Sequence, residues 1–109
     1  MIEEKSVLIE FLGDNPLIRM IDFLIERKPF DCTKEEIIRE TGISRASLFK
    51  YWNKLEEYGI VKKTRQVGRA ELYVINEENP IVQKFLIMES ELIKKAMEIA
   101  TRKPVPVKV

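Results

Sequence analysis

Between residues 33 and 59 the polar and apolar positions predict two helices separated by a tight turn. Thr33 and Glu36 form a capping box. The threonine hydroxyl can accept from a backbone N–H that the first turn leaves orphaned, and the glutamate can reach back to the cap's own N–H. The short helix begun there carries Ile37 and Ile38 inward and stops at Gly42, a residue that tolerates the left-handed conformation of a helix end. Ser44 is a second N-cap, and Leu48, Tyr51, Trp52, Leu55 and Tyr58 lie on one stripe of the helix that follows, stopped by Gly59. Upstream, Asn15 followed by Pro16 is a cap with proline at the first helical position, where its missing N–H costs nothing. Leu17, Ile21, Leu24 and Ile25, with Met20 beside them, predict a helix that ends near Arg27, closed by Pro29. The apolar run of residues 6–12 is too short for its period to separate strand from helix, with a short helix favoured. Phe30, Asp31 and Cys32 predict a short extended link into the capping box.

Downstream, residues 60–66 and 69–75 are β-prone, and Val67 with Gly68 predicts the hairpin turn between them. Asn79 and Pro80 repeat the cap-then-proline signal and open a last helix over residues 80–100. That helix has two apolar rows. Ile81, Phe85, Met88, Leu92, Ala96 and Ile99 form one; Val82, Leu86, Ile93, Met97 and Ala100 lie beside it. A terminal helix that only covers its own domain needs about one stripe, so a second row predicts a partner helix. Val82, Phe85, Leu86, Ile93 and Met97 are the candidate interface. The alternative is a helix fully buried within one protomer; a membrane-surface helix is disfavoured by Glu89, Glu91 and Glu98. Residues 101–109, with Pro104 and Pro106, predict a flexible tail. The organisation expected is a domain over 1–79 (helix 44–58, hairpin 60–75), the helix 80–100 belonging to the same domain, and the tail.

A short helix, a glycine turn and a second capped helix make a helix-turn-helix, and a hairpin directly behind it is a wing. The fold class expected is mainly α with a small β-hairpin: a winged helix-turn-helix with an extra C-terminal dimerisation helix. Off the apolar stripe of the second helix stand Ser44, Arg45, Ser47, Phe49, Lys50, Asn53 and Lys54. Most of these are donors for phosphates or base edges, and two of them lie in the first turn, the end that enters the major groove in this motif. The wing adds Lys62, Lys63, Arg65 and Arg69. A basic solvated helix face is the bland alternative; the spacing of cap, glycine and second cap favours double-stranded DNA as the partner.

Charge sharpens this picture. The whole chain of 109 residues carries only +1, but residues 44–69 hold seven bases against Glu56 and Glu57, a local +5 that leaves −4 for everything else. A basic patch on an otherwise acidic domain suits a polyanion. Composition excludes much else. There is no histidine, so the commonest general base and metal ligand is missing. The single cysteine, Cys32, cannot form an internal disulfide, which suits a reducing cytoplasm, and a lone cysteine before a capping box is usually a small apolar filler. Glu35–Glu36, Glu56–Glu57 and Glu77–Glu78 are adjacent pairs that point apart on a helix, not catalytic dyads. No Gly-rich phosphate loop or nucleophile elbow occurs, so no enzyme, cofactor or metal site is expected. Nothing runs to about 18 apolar residues, so no membrane span is expected. The N-terminus, with Glu3 and Glu4, lacks the basic start of a secretory signal. Trp52 and Tyr51 could wall an effector pocket, but at helical spacing with Leu48 and Leu55 they read as core.

The wording of Gly42-Ile43-Ser44-Arg45-Ala46-Ser47-Leu48 and of Leu55-Glu56-Glu57-Tyr58-Gly59-Ile60-Val61 resembles the arsenic-repressor and multiple-antibiotic-resistance-regulator superfamily of winged helix-turn-helix transcription regulators. The ending from Val67-Gly68-Arg69 to Asn79-Pro80-Ile81-Val82 is similar to archaeal members. The resemblance covers about residues 14–100. It implies a homodimer that binds DNA, with Ser44, Arg45, Ser47, Lys50 and Asn53 at the major groove and Arg65 and Arg69 on the wing. Phe49 departs from the small or polar residue often found there, and either a thymine methyl or a dimer or core contact would explain it. The metal-sensing cysteine pairs and histidines of the arsenic-repressor branch are missing from this chain. Two rival functions remain open at this level: an architectural DNA-binding protein without sequence preference, and a winged helix used for protein–protein interaction. No residue pattern points to an effector.

Overall fold

The computed structural model describes residues 6–102. Its elements are α1 (Val7–Leu12), α2 (Pro16–Arg27), α3 (Lys34–Thr41), α4 (Arg45–Glu57), β1 (Val61–Val67), β2 (Ala70–Ile75) and α5 (Pro80–Arg102). Mainly helical with one antiparallel hairpin, the chain has the winged helix-turn-helix architecture and a long helix after it. The ambiguous run at residues 6–12 is helical: Ser6 caps α1 by accepting from the Ile9 N–H at 3.2 Å. The charges at Glu3 and Glu4 lie outside the described residues.

The predicted caps set the chain's corners. Asn15 accepts from Ile18 N–H at 3.0 Å, and Thr33 and Glu36 exchange both bonds of the capping box, at 3.1 and 2.9 Å. Ser44 accepts from Ser47 N–H at 3.0 Å. Between the last two caps Gly42 takes φ +76°, a left-handed turn that lets α4 leave α3 at once. Asn79 works at both of its ends. Its Oδ1 accepts from Ile81 N–H at 2.7 Å to start α5, while its Nδ2 donates to the Tyr58 and Gly59 carbonyls at 2.8 and 2.9 Å. The end of α4 and the start of α5 are thereby tied together.

The core forms where the apolar stripes meet. Met20 and Leu24 of α2, Ile37 of α3, Leu48, Trp52 and Leu55 of α4, Tyr73 and Ile75 of β2 and Val82 of α5 are all buried. The α2 helix lies at the centre, packed on α1, α3, α4 and β2. Cys32 is also fully buried and pairs with Tyr73 through two backbone bonds of 2.8 Å, adding a one-residue third strand beyond β2. Burial pushes its thiol up to about 11, so it behaves as an apolar filler.

Four expectations need correction. Tyr58 is not on the core stripe: it caps α4 and is 59% exposed. The turn is Gly68–Arg69 instead of Val67–Gly68, because the β-branched Val67 stays in the strand opposite Ala70 and Gly68, at φ +62°, takes the first loop position. The last helix continues through Thr101 and Arg102, past the expected start of the tail; residues 103–109 lie outside the described residues. The fourth concerns α5. Its two apolar rows do not divide into a core face and a partner face; the division runs along the helix. Val82 is 1% exposed and belongs to the protomer's own core, so it has no surface to offer a partner. Phe85, Leu86, Met88 and Leu92 pack partly against that core. From Ile93 onward the residues are exposed. The physical reason is length: 23 residues at about 1.5 Å each outrun a body only 31 by 22 Å across, and the long axis reaches 63 Å.

Candidate nucleic-acid interface

Because α4 buries Leu48, Trp52 and Leu55, it must turn Arg45, Phe49, Lys50, Asn53 and Lys54 outward, and all five are exposed. Ser44 is exposed and Ser47 half-buried at the start of the helix. Arg45, Phe49, Asn53, Lys50 and Lys54 thus spread over the half of α4 away from its core stripe. Lys50 sits with its ammonium 5.3 Å from the Tyr51 ring. Phe49, half-exposed, belongs neither to the core nor wholly to solvent: its ring is 6.0 Å from the Lys34 ammonium.

The wing is less uniform than its sequence suggests. Lys63 pairs with Tyr73 and Arg65 with Leu72, so Thr64 is an extra residue, a β-bulge. Side chains alternate along a strand, and one inserted residue reverses the alternation beyond it. Lys62 and Arg65 therefore share one face of the hairpin, while Lys63 and Gln66 share the other. Lys63 is held on its face by Gln66 at 3.1 Å and Glu71 at 3.3 Å. Lys62 and Lys63 cannot reach one phosphate track together. Arg69 stands in the turn and lines a recess of about 190 Å³ with Thr33, Lys34, Glu35, Ala70 and Glu71, which brings the wing tip beside the start of α3.

Three of the predicted cations have carboxylate partners. Arg45 donates through Nη1 and Nη2 to the two oxygens of Glu35, at 2.5 and 2.9 Å. Arg65 donates through Nε and Nη2 to Asp31, at 2.9 and 3.2 Å, and the Thr64 hydroxyl donates to the same carboxylate at 2.5 Å. Those bonds from Arg65 and Thr64 hold the Asp31 carboxyl down to about 2. With Glu71 on Lys63, three acids outside residues 44–69 stand against the patch, and the count of +5 falls to +2. The linear window saw the bases and missed their partners.

One basic residue escaped the sequence reading. Lys34, the first residue of α3, holds its ammonium 5.0 Å from the Trp52 ring and 5.3 Å from that of Tyr73, in addition to Phe49. Trp52 and Tyr73 themselves meet edge to face, with centroids 4.9 Å apart. A cation at a helix N-terminus opposes the helix dipole, and the three ring faces offset that. A lysine directly after the capping threonine, with aromatics in the next helix, was the available signal. Among the described residues no helix is long and apolar enough to cross a membrane, and no three His, Cys, Asp or Glu side chains group as metal ligands.

No family model matches the chain, and no curated protein matches it at a significant level. Solved structures do. A double mutant of Lactococcus lactis ZitR in apo form superposes with a TM-score of 0.62 at 20% identity, over 86% of this chain and 74% of that one. ZitR described as a zinc-responsive MarR family member superposes at 0.56 with 21% identity, over 81% and 62%. In a further ZitR double-mutant structure the match reaches 0.61 at 20% identity and spans 77% of this chain but only 60% of the other. At such identities the likeness shows the fold, a winged helix-turn-helix, and the chain spans about three-fifths of the length of two of these chains.

Proposed function

We propose that this protein binds double-stranded DNA as a homodimer and regulates transcription, with α4 in the major groove and the wing along the backbone or minor groove. The observation that carries this is the outward side of α4: Arg45, Lys50, Asn53 and Lys54 stand together on the helix that the Gly42 turn and the Ser44 cap project from the body. The ZitR likeness supports it, since that protein is described as a MarR family member. A cytoplasmic location and a resemblance to archaeal regulators belong to the same reading.

The dimer contact is assigned to the projecting half of α5, centred on Ile93 and Met97, with Phe85 and Leu86 at its edge. One recognition helix reads only a few base pairs, so two copies about one DNA turn apart would give the selectivity a regulator needs.

Selection of bound sequences from random duplex DNA tests the reading. Enrichment of an inverted repeat is the expected result. Tight binding without enrichment would favour an architectural role, and no binding at moderate salt would leave protein interaction as the function of the domain. Lys62 and Arg69 would contact phosphates in either DNA-binding case, so charge reversal there should weaken binding to all sequences alike.

A further inference from the structure

Two arginines of the interface, Arg45 and Arg65, are held by carboxylates in opposite ways. Asp31 grips Arg65 from the side, through Nε and Nη2. Its side chain is 17% exposed while that of Arg65 is 61% exposed, so the acid stands behind the base and leaves the distal Nη1 donors pointing away from it. Glu35 instead grips Arg45 end-on, through Nη1 and Nη2. Here acid and base are equally exposed, at 62% and 59%, so the carboxylate covers the reaching tip of the guanidinium and stands in solvent with it. Arg45 is the first residue of α4, the end expected to enter the groove, and a phosphate or base edge that takes its Nη1 and Nη2 donors must displace Glu35. Resting on the DNA-binding reading above, we propose that Glu35 is a specificity-determining residue: it shields Arg45 from DNA and yields it only to an acceptor that replaces both bonds.

An exposed ion pair is weak enough to be displaced. What displaces it must match it, and the Nη1–Nη2 fork of arginine is satisfied bidentately by O6 and N7 of guanine, a match that only some sequences place in register. A duplex that offers one misaligned acceptor leaves Arg45 with Glu35 and gains nothing from it. Glu35 is thus an internal competitor that lowers non-specific affinity more than specific affinity. The bond from Arg45 holds its carboxyl below the usual range, so the shield remains charged at neutral pH. Asp31 does the reverse, holding Arg65 ready for a phosphate.

The test is a salt titration of binding to a labelled random-sequence duplex, followed by fluorescence anisotropy, and repeated on a sequence enriched by selection. Glu35→Gln should tighten binding to the random duplex, steepen the slope of log affinity against log salt by about 0.9 for each newly engaged phosphate, and narrow the gap between random and enriched sequences. In an Arg45→Gln background the same substitution should do nothing. Asp31→Asn, which removes an equal charge, should weaken binding. The proposal is overturned if Glu35→Gln leaves slope and discrimination unchanged, if its effect persists without Arg45, or if Asp31→Asn tightens binding equally, since a general field would then explain both. If the unsubstituted protein binds neither duplex, the DNA reading fails and takes the shield with it; if it binds and only the Glu35 effects are missing, the shield alone fails.

Discussion

On the wing side Asp31, Glu35 and Glu71 each meet a base or a donor, whereas between α2 and α5 the acids Asp22, Glu26 and Glu89 lie within reach of one another's charge. The consequences have opposite sign. Hydrogen bonds from Arg65, Arg45 and Tyr73 pull Asp31, Glu35 and Glu71 below the usual carboxylate range. Burial pushes Asp22, Glu26 and Glu89 above it, and their mutual repulsion adds to the rise in Glu26 and Glu89. A hydrogen bond from Ser6 opposes the shift at Asp22, and Lys28 opposes it at Glu89. Asp22 is only 8% exposed and its Oδ1 has no partner. The three acids on the side proposed to face DNA each have a donor, while the three between α2 and α5 are desolvated near one another with only partial compensation. Acid count says nothing about this; the partner each acid finds decides it.

The largest effect expected lies under the wing side. Trp52 is 3% exposed, meets Tyr73 edge to face and forms the floor beneath Lys34, so it joins α4, β2 and α3. Trp52→Ala should cost about 3–5 kcal/mol in urea unfolding, a large share of the stability of so small a domain. Trp52→Phe should cost less, because the indole N–H it removes has no partner. An unchanged melting temperature for the alanine variant would show that the wing side is not built on this ring.

Next comes the pH profile, where the two groups of acids pull apart. Raised groups resist ionisation in the folded state, so stability should rise as pH falls from neutrality through their raised range. Lowered groups do the opposite: Asp31, at about 2 against an ordinary 3.8, lends stability that is complete above the ordinary value and is lost as pH falls toward 2. Thermal melts across this range should therefore show a maximum on the acid side of neutral. Asp22→Asn should raise the melting temperature at pH 7 and flatten the upper limb, leaving the lower limb in place. A profile that falls steadily from pH 7 to pH 3 in both proteins would erase the distinction between the two regions. An NMR titration of the Asp31 carboxyl with a midpoint near 4 would remove the wing clamp on its own.

Much of this architecture was legible in the sequence, and the parts that were not share a cause. The caps at Asn15, Thr33, Ser44 and Asn79 and the stop at Gly42 are local: each depends on residues within a turn, so the sequence displays them. The residues that line the outward side of α4 followed from the same periodicity. Partners distant in sequence were not visible. Arg65 reaches Asp31 across 34 positions and Arg45 reaches Glu35 across 10, so a count along the chain credited the patch with charge that the fold cancels. The bulge at Thr64 was invisible for a related reason: a two-residue period has no way to announce an inserted residue, and the insertion moved Arg65 to the face of Lys62. Periodicity also failed along α5, where it identified apolar rows correctly but could not tell where the body beneath them ends.

That last failure leads to the smallest effect on the protomer and a decisive one for assembly. Ile93 and Met97 are 43% and 64% exposed, and they lie past the point where Val82, Phe85, Leu86, Met88 and Leu92 engage the body. Their substitution should therefore leave the protomer within about 0.5 kcal/mol of its original stability. Leu86 is a poor probe, because a charge placed there would also disturb the core it packs on. Ile93→Glu with Met97→Glu should yield a folded protomer of unchanged helix content that no longer self-associates. If the projecting half of α5 is the two-fold contact, light scattering should find the unsubstituted chain dimeric at micromolar concentration and the double variant monomeric. The variant should hold an inverted repeat much less tightly than the dimer, because linking two modules multiplies affinity without any new base contact. A double variant that still dimerises would move the contact to other surface, such as the exposed Phe11 of α1 beside Leu92 and Ile99. A variant that unfolds would mean the exposed half of α5 is needed by the protomer itself, and the division of that helix by length would be wrong.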